Sequence, residues 1–71
     1  MTDPIVIYQP TERTRTQVQA SNYKGKTLAD IRLWYLTQEG TWAPSQKGVA
    51  LPLEVIPALI DALSSVLQGA L

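Results

Sequence analysis

Residues 14–36 read TRTQVQASNYKGKTLADIRLWYL, two alternating runs on either side of a turn. In the first run Arg15, Gln17, Gln19, Ser21 and Tyr23 are polar or amphipathic, while Thr16, Val18 and Ala20 fall between them. A period of two puts successive side chains on opposite faces of a strand, so Thr14–Tyr23 is expected to be a half-buried strand. The tetrad Asn22-Tyr23-Lys24-Gly25 supplies turn chemistry, because Asn and Gly accept a positive φ, and it predicts a hairpin. Alternation resumes from Lys26 to Leu36. Thr27, Ala29, Ile31, Leu33 and Tyr35 form one face, read as core, and Lys26, Leu28, Asp30, Arg32, Trp34 and Leu36 the other. Cations, a ring and aliphatic bodies suit that second face to a ligand better than to water.

Downstream, Thr37-Gln38-Glu39-Gly40 reads as a turn, Thr41-Trp42-Ala43 as a short strand, Pro44-Ser45-Gln46-Lys47-Gly48 as a third turn and Val49-Ala50-Leu51 as a last short strand. After Pro52 the period changes to 3.6. Ile56, Leu59, Ile60, Leu63, Val66 and Leu67 form an apolar helical stripe, widened by Val55, Ala58 and Ala62. Pro57 would remove a hydrogen bond from a helix starting at Leu53, so either the start lies later or the first turn is distorted. The fold expected is α+β: a four-stranded antiparallel meander followed by one C-terminal helix. Pro4-Ile-Val-Ile-Tyr-Gln-Pro10 precedes it, either a frayed terminus or an arm that pairs with a sheet edge. Residues 1–12 are therefore read as an N-terminal arm and 13–71 as one domain.

A chain of 71 residues builds a core worth only about 3–5 kcal/mol of net stability unless something staples it. With no cysteine and no histidine, disulfides and zinc sites are excluded. Oligomerisation remains. The stripe is wider than one small sheet needs, so the helix is expected to pack on its own sheet and on a second copy, through Ile56, Leu59, Ile60, Leu63 and Leu67.

The chain is formally neutral, yet all its cations lie between Arg13 and Lys47, where only Asp30 and Glu39 oppose them, giving that segment +4. The middle is a basic module. The start MTDPIVIYQP has no basic region and too short an apolar run for a secretory signal, and the apolar C-terminal stretch is interrupted by Pro52, Glu54, Pro57 and Asp61. A cytoplasmic protein with no membrane partner is expected.

The inventory argues against an enzyme. No two acids are spaced as a catalytic pair, and Gly25, Gly40 and Gly48 stand alone rather than in a phosphate-cradling loop. No cofactor or metal is expected. Single-stranded nucleic acid asks for less: cations that follow phosphates and rings on which unpaired bases stack. Tyr23 to Tyr35 holds Lys24, Lys26 and Arg32 with Tyr23, Trp34 and Tyr35. Taken singly, each has a bland reading: Lys24 and Lys26 as solubilising hairpin lysines, Arg32 as the partner of Asp30, Trp34 and Trp42 as core rings. Duplex reading is disfavoured, since the one helix carries no cation.

The order of these features, Y-K-G-K, then D-I-R-x-W-Y, then E-G-T-W-x-P-x-x-K-G-V-x-L and a single helix, resembles the C-terminal domain of the positive cofactor four family of transcriptional coactivators, from about Thr16 to about Leu63. The resemblance implies a homodimer backed by packed helices, with each sheet face holding a single DNA strand. It further implies that Tyr23, Lys24 and Lys26 grip the backbone, that Arg32 and Lys47 add cations, and that Tyr35 stacks a base. Strict alternation favours Trp34 over Tyr35 on the Lys26 and Arg32 face, and a β-bulge between Arg32 and Tyr35 would reconcile the two. Ala43 and Gln46 stand where the family commonly has basic residues. The function expected is a homodimeric, largely sequence-independent single-stranded DNA binder, with RNA as a variant ligand and transcription or replication proteins as partners. The alternative is a dimeric protein-interaction module of the same fold without nucleic-acid binding.

Overall fold

A computed structural model describes residues 4–71; residues 1–3 of the expected arm lie outside the described residues. The chain forms β1 (Ile5–Thr11), β2 (Thr14–Tyr23), β3 (Lys26–Leu36) and β4 (Trp42–Pro52), then a 3-10 turn at Leu53–Val55 and α1 (Ile56–Ala70). The strands make one antiparallel sheet in the order β1-β2-β3-β4. Four strands and one helix match the expected class, but the membership differs. The proline-fenced arm is itself the first strand, and the two short strands expected at 41–43 and 49–51 are the ends of one long β4. Pro10 is tolerated in β1 because an edge strand leaves one row of N–H groups unpaired in any case.

The expected third turn is a bulge inside β4. Arg32 pairs with Gly48 and Trp34 with Pro44, so Ser45, Gln46 and Lys47 stand opposite Leu33 alone. The Ser45 hydroxyl ties the bulge down, donating to the Leu33 carbonyl at 2.7 Å and accepting from the Lys47 N–H at 3.0 Å.

Between β2 and β3 the register runs without a break from Thr14 opposite Tyr35 to Tyr23 opposite Lys26. One face therefore carries Arg15, Gln17, Gln19 and Tyr23 with Trp34, Arg32, Asp30 and Lys26. The other carries an apolar row in which Ile5, Val18, Ile31 and Val49 face one another across all four strands.

Pro57 is accommodated as both resolutions foresaw: α1 begins at Ile56, after a 3-10 turn, so proline occupies the first helical turn, where its missing N–H has no partner to lose. In the single chain the helix does not cover the apolar face. None of its residues is buried; Ile60, Leu63, Val66 and Leu67 are 57–68% exposed, and an open groove remains between Ile5, Val18, Ala20, Ala29 and Leu53. No apolar side chain among the described residues is buried at all. The radius of gyration is 13.8 Å, against about 11 Å for a compact chain of this length. The accessible surface is 5593 Å², about 1,200 Å² more than a compact monomer of this mass exposes.

Leu53–Ala70 is long and apolar enough, at mean hydropathy 1.3, to meet the length and composition of a membrane span. Its large apolar residues are confined to one side of the helix. Asp61, Ser65 and Gln68 lie opposite the stripe, and a carboxylate near mid-span costs about 2.5–3.5 kcal/mol in a bilayer.

Candidate nucleic-acid interface

The hairpin between β2 and β3 is a two-residue turn, with Lys24 at φ 51° and Gly25 at φ 79°. Positive φ at both central positions gives the twist that antiparallel strands need, and Gly25 adopts it freely. Lys24 does not. A left-handed L-residue costs roughly 1–2 kcal/mol, and Asn22, the residue expected to take that role, sits inside β2 opposite Thr27. The result projects a lysine from the hairpin tip, its Nζ 5.3 Å from the Tyr23 ring centre. Tyr23 is 60% exposed and pairs across the strands with the exposed Lys26. Strain of this kind argues for a task at the tip. Lys24→Asn should therefore raise stability by about 0.5–1 kcal/mol, since Asn tolerates the left-handed region, while weakening nucleic-acid affinity. Thermal melts and binding titrations on the same preparation would report the two opposite changes.

Arg32 lies six residues along β3 on the face of Lys26, about 20 Å away at ~3.3 Å per residue. Its guanidinium is already engaged. Nε donates to both Asp30 carboxylate oxygens at 3.1 and 3.3 Å, and Nη1 to the Ser45 carbonyl at 3.0 Å. The bland pairing with Asp30 is thus realised. Lys47, exposed on the β4 bulge, is one residue from Gly48, the cross-strand partner of Arg32. The structure therefore gathers Tyr23, Lys24 and Lys26 at one end, and Arg32, Trp34 and the Lys47 bulge further along.

Tyr35 is not on that face. The extra residues of the bulge belong to β4, so alternation along β3 is unbroken and Tyr35 lies with Ile31 and Leu33 on the opposite side. The expected reconciliation by a bulge in β3 is overturned. Tyr35 is 45% exposed. Trp34 shares the face of Arg32 but is half-buried between Arg15 and Pro44 in cross-strand register, with its indole N–H buried and unpartnered.

One group on this face was not singled out from sequence. The Arg15 guanidinium lies 4.0 Å from the Trp42 ring centre, and its Nε donates to the Gln17 carboxamide. Gln17 is 2% exposed. The available signal was register, because a turn at 24–25 places Arg15 opposite Trp34.

A family description, Transcriptional Coactivator p15 (PC4), matches residues 11–62. The chain belongs to the PC4 family of transcriptional coactivators. Its fold resembles a PC4 homologue from Burkholderia pseudomallei, with a TM-score of 0.79 and 22% identity over 90% of this chain and 86% of that one. It also resembles the bacteriophage T5 homologue of the eukaryotic coactivator PC4, a protein implicated in recombination-dependent DNA replication, with a TM-score of 0.83 and 24% identity over 96% of this chain and 78% of that one. The PC4 match begins at the end of β1 and closes within α1.

Proposed function

We propose that this PC4-family chain is a homodimeric single-stranded DNA binder. Membership of a coactivator family and similarity to a phage protein implicated in DNA replication support a role on DNA. The observation that carries the single-strand reading is the hairpin tip, where strained Lys24, exposed Lys26 and the exposed Tyr23 ring converge. Cations there neutralise phosphates while the ring accepts an unpaired base, a stack worth about 1–3 kcal/mol whatever the sequence. Lys47 adds a further cation, and Arg32 joins it where a phosphate competes with Asp30. Tyr35 meets the same strand only where the ligand rounds the end of the sheet. Nothing in this chemistry needs a catalytic group.

Dimerisation is supported by the surface itself. About 1,200 Å² in excess of a compact monomer exceeds the ~800 Å² per partner of an ordinary interface. The one-sided stripe of α1, centred on Leu59, Ile60 and Leu63, is the segment to bury.

Anisotropy titrations of a labelled oligothymidylate at two or more salt concentrations test the reading. Replacing Lys24 and Lys26 together by Ala should flatten the slope of log K against log salt by about 1.4, at ~0.7 per phosphate contact. No binding of the unaltered chain at low salt would refute it. The Asp30–Arg32 pair favours a second reading, a dimeric protein-interaction module without nucleic-acid affinity, and that same refuting outcome is its expected result. An oligouridylate of equal length separates DNA from RNA preference.

A further inference from the structure

Gln17 is the one fully buried side chain among the described residues, in a sheet that buries no apolar residue. Burying a carboxamide is unfavourable unless its hydrogen bonds are made, so its surroundings should explain it. Its oxygen accepts from Arg15 Nε, and its nitrogen donates to Gln19 Oε1 at 3.4 Å. Gln17 is thus a bracket for Arg15.

A second restraint acts on the same guanidinium. It lies 4.0 Å from the centre of the Trp42 ring, with Trp34 as the directly opposed cross-strand neighbour. An arginine has five N–H donors in a rigid plane. Here one is held by Gln17, while Nη1 and Nη2 have no hydrogen-bond partner among the described residues. No carboxylate pairs with it either; the single ion pair among the described residues is Arg32–Asp30. Arg32, by contrast, has its Nε on Asp30 and its Nη1 on the Ser45 carbonyl.

From this contrast the geometry points to Arg15, ahead of Arg32, as the main phosphate-binding guanidinium of the polar face. The inference rests on the single-strand reading given above and extends it to a second anchor. Arg15 stands eight residues along β2 from Tyr23, a backbone span of about 26 Å, and so anchors the opposite end of the face from the hairpin lysines. Gln17 and Trp42 fix the plane of the fork before any ligand arrives, which lowers the ordering cost of a bidentate phosphate contact.

The test compares the full chain with Arg15→Gln, Arg15→Lys and Arg32→Gln by anisotropy against a labelled twenty-nucleotide oligothymidylate across a salt series. Glutamine keeps a planar group against Trp42 and removes the charge. Arg15→Gln should weaken binding about tenfold or more at low salt and flatten the log–log salt slope by about 0.7. Arg15→Lys should restore the slope without restoring full affinity, since lysine keeps the charge and loses the fork. Arg32→Gln should flatten the slope by less than Arg15→Gln. Sedimentation equilibrium and Trp emission on the same samples report assembly and folding. An unchanged slope in Arg15→Gln overturns the assignment. So does a larger effect from Arg32→Gln, or loss of the parent assembly in both Arg15 variants. Absence of salt-dependent binding by the unaltered chain would instead refute the single-strand reading, and it is seen before any variant is compared.

Discussion

Leu63→Glu is expected to leave the chain without a stable fold at micromolar concentration. The reason lies in where its apolar surface sits. No apolar side chain among the described residues is buried within one chain, and Leu63 is 57% exposed at the middle of the stripe formed by Ile56, Leu59, Ile60, Val66 and Leu67. Burying such a leucine fully is worth about 1.5–3 kcal/mol, and forcing a carboxylate into the same interface costs several more. In the proposed dimer each substitution acts twice across the two-fold axis. The sum exceeds the ~3–5 kcal/mol that a domain this small has to lose. Far-UV circular dichroism should lose its cooperative melt and sedimentation equilibrium should return a monomer. Ser65→Glu, on the opposite side of α1, should change neither, and the parent Tm should rise with protein concentration. A Leu63→Glu chain that melts like the parent would remove the case for helix-mediated dimers.

Local features of the sequence were legible because short-range physics fixes them. The β2–β3 hairpin follows from two alternating runs around Lys24-Gly25, and the helix from a 3.6-residue stripe that Pro57 can only enter in the first turn. The 44–48 segment misled for a physical reason. Proline, serine and glycine have turn chemistry, but here Ser45 and Arg32 spend their hydrogen bonds across strands, knitting a bulge to β3. Such contacts join residues twelve or thirteen apart and leave no local signature. Residues 4–10 allow a frayed terminus or an arm on a sheet edge; the structure realises the second as β1, and only tertiary register decides between them. At the site, the lysines and Tyr23 were legible as a cluster and Arg32–Asp30 as a pair two residues apart on one face, whereas the hold of Gln17 and Trp42 on Arg15 was not. Charge counting treats Arg15 and Arg32 alike; Asp30 and the Ser45 carbonyl beside Arg32, and Gln17 and the Trp42 ring beside Arg15, distinguish them.

Gly48→Ala should be the most damaging single-methyl change in the sheet. Its backbone φ is not left-handed, and the obstacle to a side chain is lack of space. A Cβ at position 48 would stand 2.7 Å from the Ile31 carbonyl oxygen and 2.8 Å from both Cα and Cβ of Arg32. Two of those three atoms are backbone and cannot swing aside. Either β4 lifts away from β3 where the bulge ends, or the Arg32 backbone moves and draws its guanidinium off Asp30 and the Ser45 carbonyl. Overpacking of this kind costs about 1–3 kcal/mol, and backbone obstruction argues for the upper part of that range. For a domain of this size each kcal/mol shifts Tm by roughly 4–8 °C, so a loss of about 10–20 °C is expected in a thermal melt. Gly69→Ala supplies the opposite sign from the same chemical change. Nothing lies within 4 Å of a methyl there, and the residue is helical. Alanine is favoured over glycine by up to ~1 kcal/mol in a helix interior and by less near the end, so Tm should rise by a few degrees at most. If Gly48→Ala melted with Gly69→Ala, β4 could not approach Arg32 as closely as the bulge requires. The pinning of Arg32, and with it the contrast with the open Nη1 and Nη2 of Arg15, would then lose its structural basis.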